Sequence, residues 1–220
     1  MKGSIYEEYA CYPGVFLVRY REEVRVDNMR RDNERGVPIE IATLDKPDEQ
    51  LWPQATELYS RTFPEGKPLR IIDAMFRKRI AYLHVAMDNR GVMAMAITGQ
   101  VAKGKLLLID YLAVREDRRR SGFGQLFLAA IRDWAQRELH VEGLLIEAEY
   151  GTSADDEHRV RFWQRCGFVL TEYVHSYIWV PERYRAMYAR LTQTADIPDD
   201  GKRLFKYISD YHNRSFRGEG

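Results

Sequence analysis

The sequence predicts an α/β domain whose mixed sheet is largely antiparallel and flanked by helices. Three observations carry that expectation. Short apolar or alternating runs of strand length trade places with longer stretches at helical spacing, in the order β-α-α-β-β-β-α-β-α-β-β. Turn-forming residues such as Asp88-Asn89-Arg90-Gly91 join neighbouring strands directly, which antiparallel pairs allow and parallel pairs do not. A chain of 220 residues, 45% hydrophobic and 30% charged, has the composition of a folded domain with extensions and not of a disordered chain.

The elements follow in order. Residues 4–20 are aromatic and apolar, with a strand expected at Val15–Tyr20, and residues 21–36 are mostly charged and read as a solvated connector or short helix. Residues 1–37 therefore read as an N-terminal extension. Ile39–Thr43 alternates like a strand, and 47–62 sets Leu51, Ala55, Leu58 and Tyr59 at helical spacing. The run Phe63-Pro64-Glu65-Gly66-Lys67-Pro68 breaks that helix, and a second helix follows at about 69–79 with Ile71, Ile72, Met75 and Phe76 as its apolar face. Strands are expected at Ala81–Met87, Gly91–Thr98 and Lys105–Val114, with Gly99–Gly104 as a hairpin connection.

From Gly122 to Leu139 the pattern is helical, with Phe123, Phe127, Ala130, Ile131 and Trp134 on one stripe. Leu144–Ala148 is a short buried strand. Asp155–Arg165 is a polar helix ended at Cys166-Gly167, where Gly167 suits a left-handed cap. Strands return at Phe168–Tyr173 and Tyr184–Leu191. The tail at 202–214 puts Leu204, Phe205, Ile208 and Tyr211 on one helical face, so 193–220 reads as a C-terminal helical extension to a domain at 38–192. Both ends carry apolar side chains that want a surface to cover, on this domain or on a second copy in a homodimer.

Charge and cysteine usage exclude several classes. Lys plus Arg (34) nearly cancels Asp plus Glu (33), so there is no global basic excess for gripping a nucleic-acid backbone. Cys11 and Cys166 are far apart, and the five histidines are scattered, so no zinc-ligand spacing emerges and no metal is expected. Free thiols suit a reducing compartment. Glu7 and Glu8 stand where a signal peptide needs apolar residues, and no run of about 18 apolar residues could span a membrane. The expectation is a cytoplasmic protein with neither nucleic-acid nor membrane partners.

One stretch points to chemistry. The apolar run Leu106–Val114, interrupted by Asp110, leads into Arg115-Glu-Asp-Arg118-Arg119-Arg120-Ser121-Gly122-Phe123-Gly124-Gln125 and then a helix. A helix N-terminus offers unpaired N–H groups and about half a positive charge. Gly122 and Gly124 remove side chains that would hold a phosphate away from the backbone, and the arginines add permanent charge. These are the parts of a pyrophosphate cradle. A P-loop would need a Lys that is absent here, and the dinucleotide fingerprint needs a further glycine and a parallel βαβ setting.

At this point the sequence resembles the GNAT superfamily of acyl-CoA-dependent N-acetyltransferases. The family's [RQ]-x-x-G-x-[GA] signature reads Arg119-Arg120-Ser121-Gly122-Phe123-Gly124, starting five residues after Val114. A second segment, Arg161-Phe162-Trp163-Gln164-Arg165-Cys166-Gly167-Phe168, is similar to the family's F-Y-x-x-x-G-F. The helix and broken loop at Leu58–Pro64 resemble its acceptor-side region. The resemblance covers residues 38–192. It implies a sheet whose central strands splay apart. It implies acetyl-CoA as cosubstrate, with pantetheine on the backbone of Leu112, Ala113 and Val114. The pyrophosphate would sit on the amides of Arg119, Arg120, Ser121, Gly122, Phe123, Gly124 and Gln125.

Transfer to an amine requires a group that takes its proton. Asp110, four residues before Val114, stands where members of the family often carry an acidic or polar group facing the acceptor. Ile109 and Tyr111 flank it, and desolvation would raise its pKa. Glu147 and Glu149 alternate on the next strand, and Glu149 is the rival base. The family's usual tyrosine, which protonates the leaving thiolate, is replaced by Trp163, an indole that can donate a hydrogen bond but has no usable acidity. Tyr150, Tyr173 and Tyr177 are candidate substitutes, and Cys166 has no credentials as a nucleophile. The expected activity is transfer of an acetyl or short acyl group to a small-molecule or peptide amine, by direct attack in a ternary complex. The alternative is a catalytically silent acyl-CoA-binding module.

Overall fold

A computed structural model of the protein describes residues 6–10, 15–20, 39–151, 153–178 and 181–218, with side chains from residue 39 onward. The expected connector at 21–36 and the side chains of the N-terminal segment lie outside the described residues, as does Cys11. The architecture is mixed α/β: a mostly antiparallel open sheet flanked by helices, as the sequence predicts. It divides into two compact units. The first comprises residues up to 97 together with 111–130, and the second comprises 98–110 together with 131–220.

In the first unit, β1 (Tyr6–Ala10), β2 (Val15–Tyr20), β3 (Ile39–Leu44) and β4 (Tyr82–Asp88) form an antiparallel meander. Tyr6 stands opposite Tyr20, Val15 opposite Leu44, and Leu44 opposite Leu83. The N-terminal strands thus extend the sheet at β3, and β1 was not anticipated from its Tyr-Glu-Glu-Tyr-Ala pattern. The strand β5 (Gly91–Val101) follows a tight turn in which Asp88 Oδ1 accepts from Arg90 N at 2.8 Å. Gly91 has φ +103°, a backbone conformation that side chains rarely tolerate.

Helix α1 (Leu51–Thr62) begins later than the expected residue 47. Asp48 Oδ1 accepts from the amides of Gln50 and Leu51, both at 2.9 Å, and so satisfies donors that would otherwise be orphaned at the helix start. Helix α2 (Leu69–Arg77) buries Ile71, Ile72, Met75 and Phe76, the face its spacing predicts. Trp52 meets Phe76 edge-on at 5.5 Å. On β4, His84 is fully buried and its Nδ1 lies 2.8 Å from Thr43 Oγ1. Burial disfavours the imidazolium and pushes the His84 pKa down to about 3.

In the second unit, β5 continues to Val101, so the expected connection at 99–104 contracts to residues 102–104. Ala102, Lys103 and Gly104 there are all left-handed. The strand β6 (Leu106–Val114) starts in this unit and ends in the first. Its parallel ladder with β7 (Gly143–Glu149) pairs Leu106 with Gly143, Leu107 with Leu144 and Leu108 with Leu145, while both strands run on well past these residues. β7 pairs along its whole length with β9 (Arg183–Arg190), which in turn pairs with β8 (Val169–Ser176) across an irregularity between Leu170 and Val174.

Helix α3 (Phe123–Glu138) buries Phe127, Ala130, Ile131 and Trp134. Helix α4 (Ala154–Arg165) opens with a reciprocal cap between Ser153 and Asp156 and closes before Gly167 at φ +87°. Helix α5 (Gly201–Phe216) packs on β8 and β9 and buries Leu204, Phe205, Ile208 and Tyr211, each no more than 2% exposed. Among the described residues no helix is long and apolar enough to cross a membrane.

Candidate functional site

The glycine-bearing loop belongs to the first unit. After Val114 the chain makes one 3-10 turn over Glu116–Arg118, closed by Arg119 N donating to Glu116 O at 3.1 Å. Arg119 Nε reaches back to the Val114 carbonyl at 2.8 Å, and Ser121 Oγ donates to Arg118 O at 2.7 Å. Arg120 (φ +61°) and Gly122 (φ +84°) are both left-handed. That pair of reversals turns the chain into α3, whose first bonds run from Gln125 N and Leu126 N to Gly122 O. Phe123 is buried and anchors the far side of the loop.

The loop suits a phosphate. A Cβ built on Gly122 meets nothing within 4 Å, so the space in front of the helix terminus is open. Arg119, Arg120, Ser121, Gly122 and Gln125 are exposed, and Gly124 is half-buried. The first-turn amides of a helix have no intrahelical acceptor, so those of Phe123 and Gly124 can bond an anion. Leu112 and Val114 are half-buried on β6 with Ala113 buried between them.

Two arginines of the basic run are committed elsewhere. Arg118 bonds Asp88 Oδ2 at 2.6 Å, and the Asp88 side chain is 2% exposed. Arg115 bonds Asp117 at 2.6 Å, and that bond holds the Asp117 carboxyl below the usual range. Arg90 contacts Asp117 as well, at 3.1 Å. The broken loop between α1 and α2 is tied down separately: Tyr59 OH donates to Lys67 O, and Lys67 N donates to Tyr111 OH. The ring of Tyr111 packs at 4.9 Å from both Tyr59 and Phe63.

The carboxylates belong to the second unit. Glu149 is paired with Arg159 at 2.7 Å, and both side chains are about half exposed. Asp110 is half-buried, and its charge contributes to raising the pKa values of Tyr177 and Tyr211. Asp110 and Glu147 both act through their charge on the Tyr177 phenol. Glu147 is gripped at both oxygens: Tyr177 OH donates to Oε2 at 2.6 Å, and His212 Nε2 lies 2.8 Å from Oε1.

Burial, followed by the charge and bond of Glu147, pushes the Tyr177 phenol far up. Burial and then Glu147, Glu182 and Glu149 push Tyr184 up to about 12. His175 stacks on Phe205 at 4.3 Å and meets Tyr177 edge-on at 4.6 Å, and burial lowers its pKa.

The roles of Tyr177 and His212 as partners of Glu147 were not visible in the sequence, although Tyr177 stood among the candidate tyrosines. Trp163 packs edge-on between Phe162 and Phe168, at 5.1 Å from each. Cys166 is half-buried, and burial raises its thiol pKa, the reverse of what a nucleophile needs. Among the described residues no group of His, Cys, Asp and Glu gathers to hold a metal ion.

Comparison with known proteins bears on this arrangement. The model of the acetyltransferase (GNAT) family matches residues 51–168, more than half of the chain. No curated protein sequence matches it. An aminoglycoside 6′-N-acetyltransferase complexed with coenzyme A is 13% identical, with a TM-score of 0.57 over 71% of this chain and 99% of that one. A protein assigned to the GNAT family from Bacteroides thetaiotaomicron is 16% identical, with a TM-score of 0.56 over 76% and 90%. A candidate streptothricin acetyltransferase from Bacillus anthracis str. Ames, in complex with acetyl coenzyme A, is 16% identical with a TM-score of 0.44. That match covers 51% of this chain and only 64% of the other. At these identities the first two structural likenesses speak for the fold alone, while the match to the family model, which includes the strand, loop and helix described above, speaks for descent. The chain belongs to the acetyltransferase (GNAT) family.

Proposed function

We propose that the protein transfers an acetyl or short acyl group from acetyl-CoA to a primary amine of a small molecule or peptide, by direct attack in a ternary complex in the cytoplasm. The observation that carries this reading is the left-handed Gly122 with open space before it at the N-terminus of α3. Backbone amides within the stretch from Arg119 to Gln125 would hold the pyrophosphate, chiefly those between the two ends because Arg119 N and Gln125 N already donate within the chain, and the backbone of Leu112, Ala113 and Val114 would hold pantetheine as an added strand. Arg119 and Arg120 supply positive charge beside it, while Arg118 serves Asp88.

The thioester supplies an electrophilic carbonyl and a thiolate leaving group. The chain's own task is to deliver a neutral amine, so that a C–N bond forms as the C–S bond breaks. Asp110 takes the ammonium proton in this reading. It lies two residues before Leu112 on the same strand and is half-buried. Glu149 is the weaker candidate because Arg159 already occupies it. Trp163, packed between two phenylalanines, has no usable acidity, so Tyr150, Tyr173, Tyr177 or solvent would supply the proton to the thiolate.

Calorimetry with acetyl-CoA, together with a thiol-release assay over a panel of primary amines, tests the proposal. Gly124→Asp sets a carboxylate among the phosphates and should weaken acetyl-CoA binding by at least about tenfold, or 1.4 kcal/mol. Asp110→Asn should lower turnover by about 10²-fold while acetyl-CoA binding persists. Unchanged affinity in a folded Gly124→Asp protein would overturn the loop assignment. Binding without turnover on any amine would mark a silent acyl-CoA-binding module instead.

A further inference from the structure

We propose that Tyr150, Arg183 and Arg185 form an oxyanion-binding site of the second unit, which takes a carboxylate or phosphate group of a small-molecule ligand. The site is independent of the acetyl-transfer reading above.

The strand register builds it. Ala148 of β7 stands opposite Arg185 of β9, and Glu149 stands opposite Tyr184. Tyr150 continues this pairing, its N–H donating to Arg183 O at 2.6 Å. Side chains alternate along a strand, so Arg183 and Arg185 share one side of β9 while Tyr184 takes the other. Both guanidiniums come to the ring of Tyr150, Arg183 at 5.6 Å and Arg185 at 5.3 Å from its centroid. Tyr150 and Arg183 are exposed and Arg185 is half-buried, so the group meets solvent.

A ring face attracts one cation, but a second cation at the same ring repels the first. Other arginines that lie over a tyrosine in this unit come singly and are bonded elsewhere. Arg214 over Tyr211 pairs with Asp210 at 3.1 Å, and Arg190 over Tyr188 donates to Tyr188 OH and to Ile197 O. Arg183 and Arg185 are two on one ring. Glu149, next to Tyr150 in the chain, is taken by Arg159, which also meets Asp156. No carboxylate among the described residues, Glu149 and Glu182 included, pairs with Arg183 or Arg185. Arg185 donates Nε–H to Thr171 O at 2.5 Å, which fixes that guanidinium to β8 and uses one of its five donors. An oxyanion shared by the two arginines relieves their repulsion and accepts charge-assisted bonds from both forks.

Sodium acetate and sodium phosphate, titrated separately into the full chain against sodium chloride at equal ionic strength, test the site. Binding is followed in 1H–15N correlation spectra at the amide of Tyr150 and at the Nε–H groups of Arg183 and Arg185. At least one of the two salts should give saturable shifts there; acetate alone marks a carboxylate ligand and phosphate alone a phosphorylated one. Arg183→Gln and Arg185→Gln should each raise the Kd of that salt by about tenfold or more. Tyr150→Leu, which removes the ring that gathers them, should raise it by about threefold. Arg61→Gln removes the same charge from an exposed side chain of α1 and should leave the Kd unchanged. If Arg185→Gln, which also loses the bond to Thr171, does not fold, Arg183→Gln at an exposed side chain carries the test. Absence of saturable shifts with both salts overturns the proposal, and phosphate shifts at residues 119–125 alone belong to the glycine-bearing loop and count as that absence. An unchanged Kd in Arg183→Gln, or an equal rise in Arg61→Gln, overturns it too. Loss of acetyl-CoA binding or of thiol release counts against the acetyl-transfer reading and leaves this readout intact.

Discussion

Arg118 donates to Asp88 Oδ2 at 2.6 Å, across thirty positions of sequence, and this bond ties the start of the glycine-bearing loop to the β4–β5 turn. The Asp88 side chain is almost fully buried, and Arg90 and Arg115 approach the same oxygen at 3.7 and 3.9 Å. A basic run that reads as a phosphate grip is therefore divided. Its first members hold the loop, and Arg119 and Arg120 remain at the surface.

Asp88→Ala removes the acceptor that these arginines share. Bonds to charged groups contribute about 1.5–3 kcal/mol, so the expected loss is about 2 kcal/mol in urea unfolding. Arg90→Ala removes an exposed partner and should cost less than about 1 kcal/mol. Equal losses from the two substitutions would show that Asp88 does not organise the loop.

His84 makes stability depend on pH. Its folded pKa, about 3, lies below the ordinary 6.5 because the buried ring stays neutral. Below pH 6.5 the unfolded chain takes up a proton that the folded chain refuses. The stabilisation is thus present above 6.5 and is lost as pH falls towards 3. At about 1.36 kcal/mol per pKa unit, this group alone should remove about 2 kcal/mol between pH 7 and pH 5. Urea unfolding of the parent and of His84→Gln at both pH values measures it; the variant should lose that share of the slope, and an unchanged slope would refute the assignment.

The tail helix should be integral to the second unit. Ile208 is completely buried, and truncating a buried Ile or Leu to Ala costs about 2–5 kcal/mol. Ile208→Ala should lower the melting temperature by several degrees or more while the Michaelis constant for acetyl-CoA changes little. A parent-like melting curve would show that α5 is dispensable to the fold.

What could be read in the sequence was local. The stripe Leu204, Phe205, Ile208 and Tyr211 specifies α5 and its buried face because helical period depends only on neighbours along the chain. The glycines and arginines after Val114 specify the loop and its local charge for the same reason, since φ preference and charge belong to single residues. The start of α1 was also local, with Asp48 three positions before Leu51, but helical spacing alone drew it too early.

What joins distant segments was decided by the tertiary structure. His212 reaches Glu147 across 65 positions, Tyr177 reaches it across 30, and β2 finds β3 beyond a long charged connector. Such partners depend on strand order and register, which align backbone bonds and buried faces over the whole sheet. A glutamate on an alternating strand looks the same whether an arginine, an imidazole or water will face it. Only packing α5 against β8 and β9 brings the His212 ring to Glu147 and leaves Arg159 to Glu149.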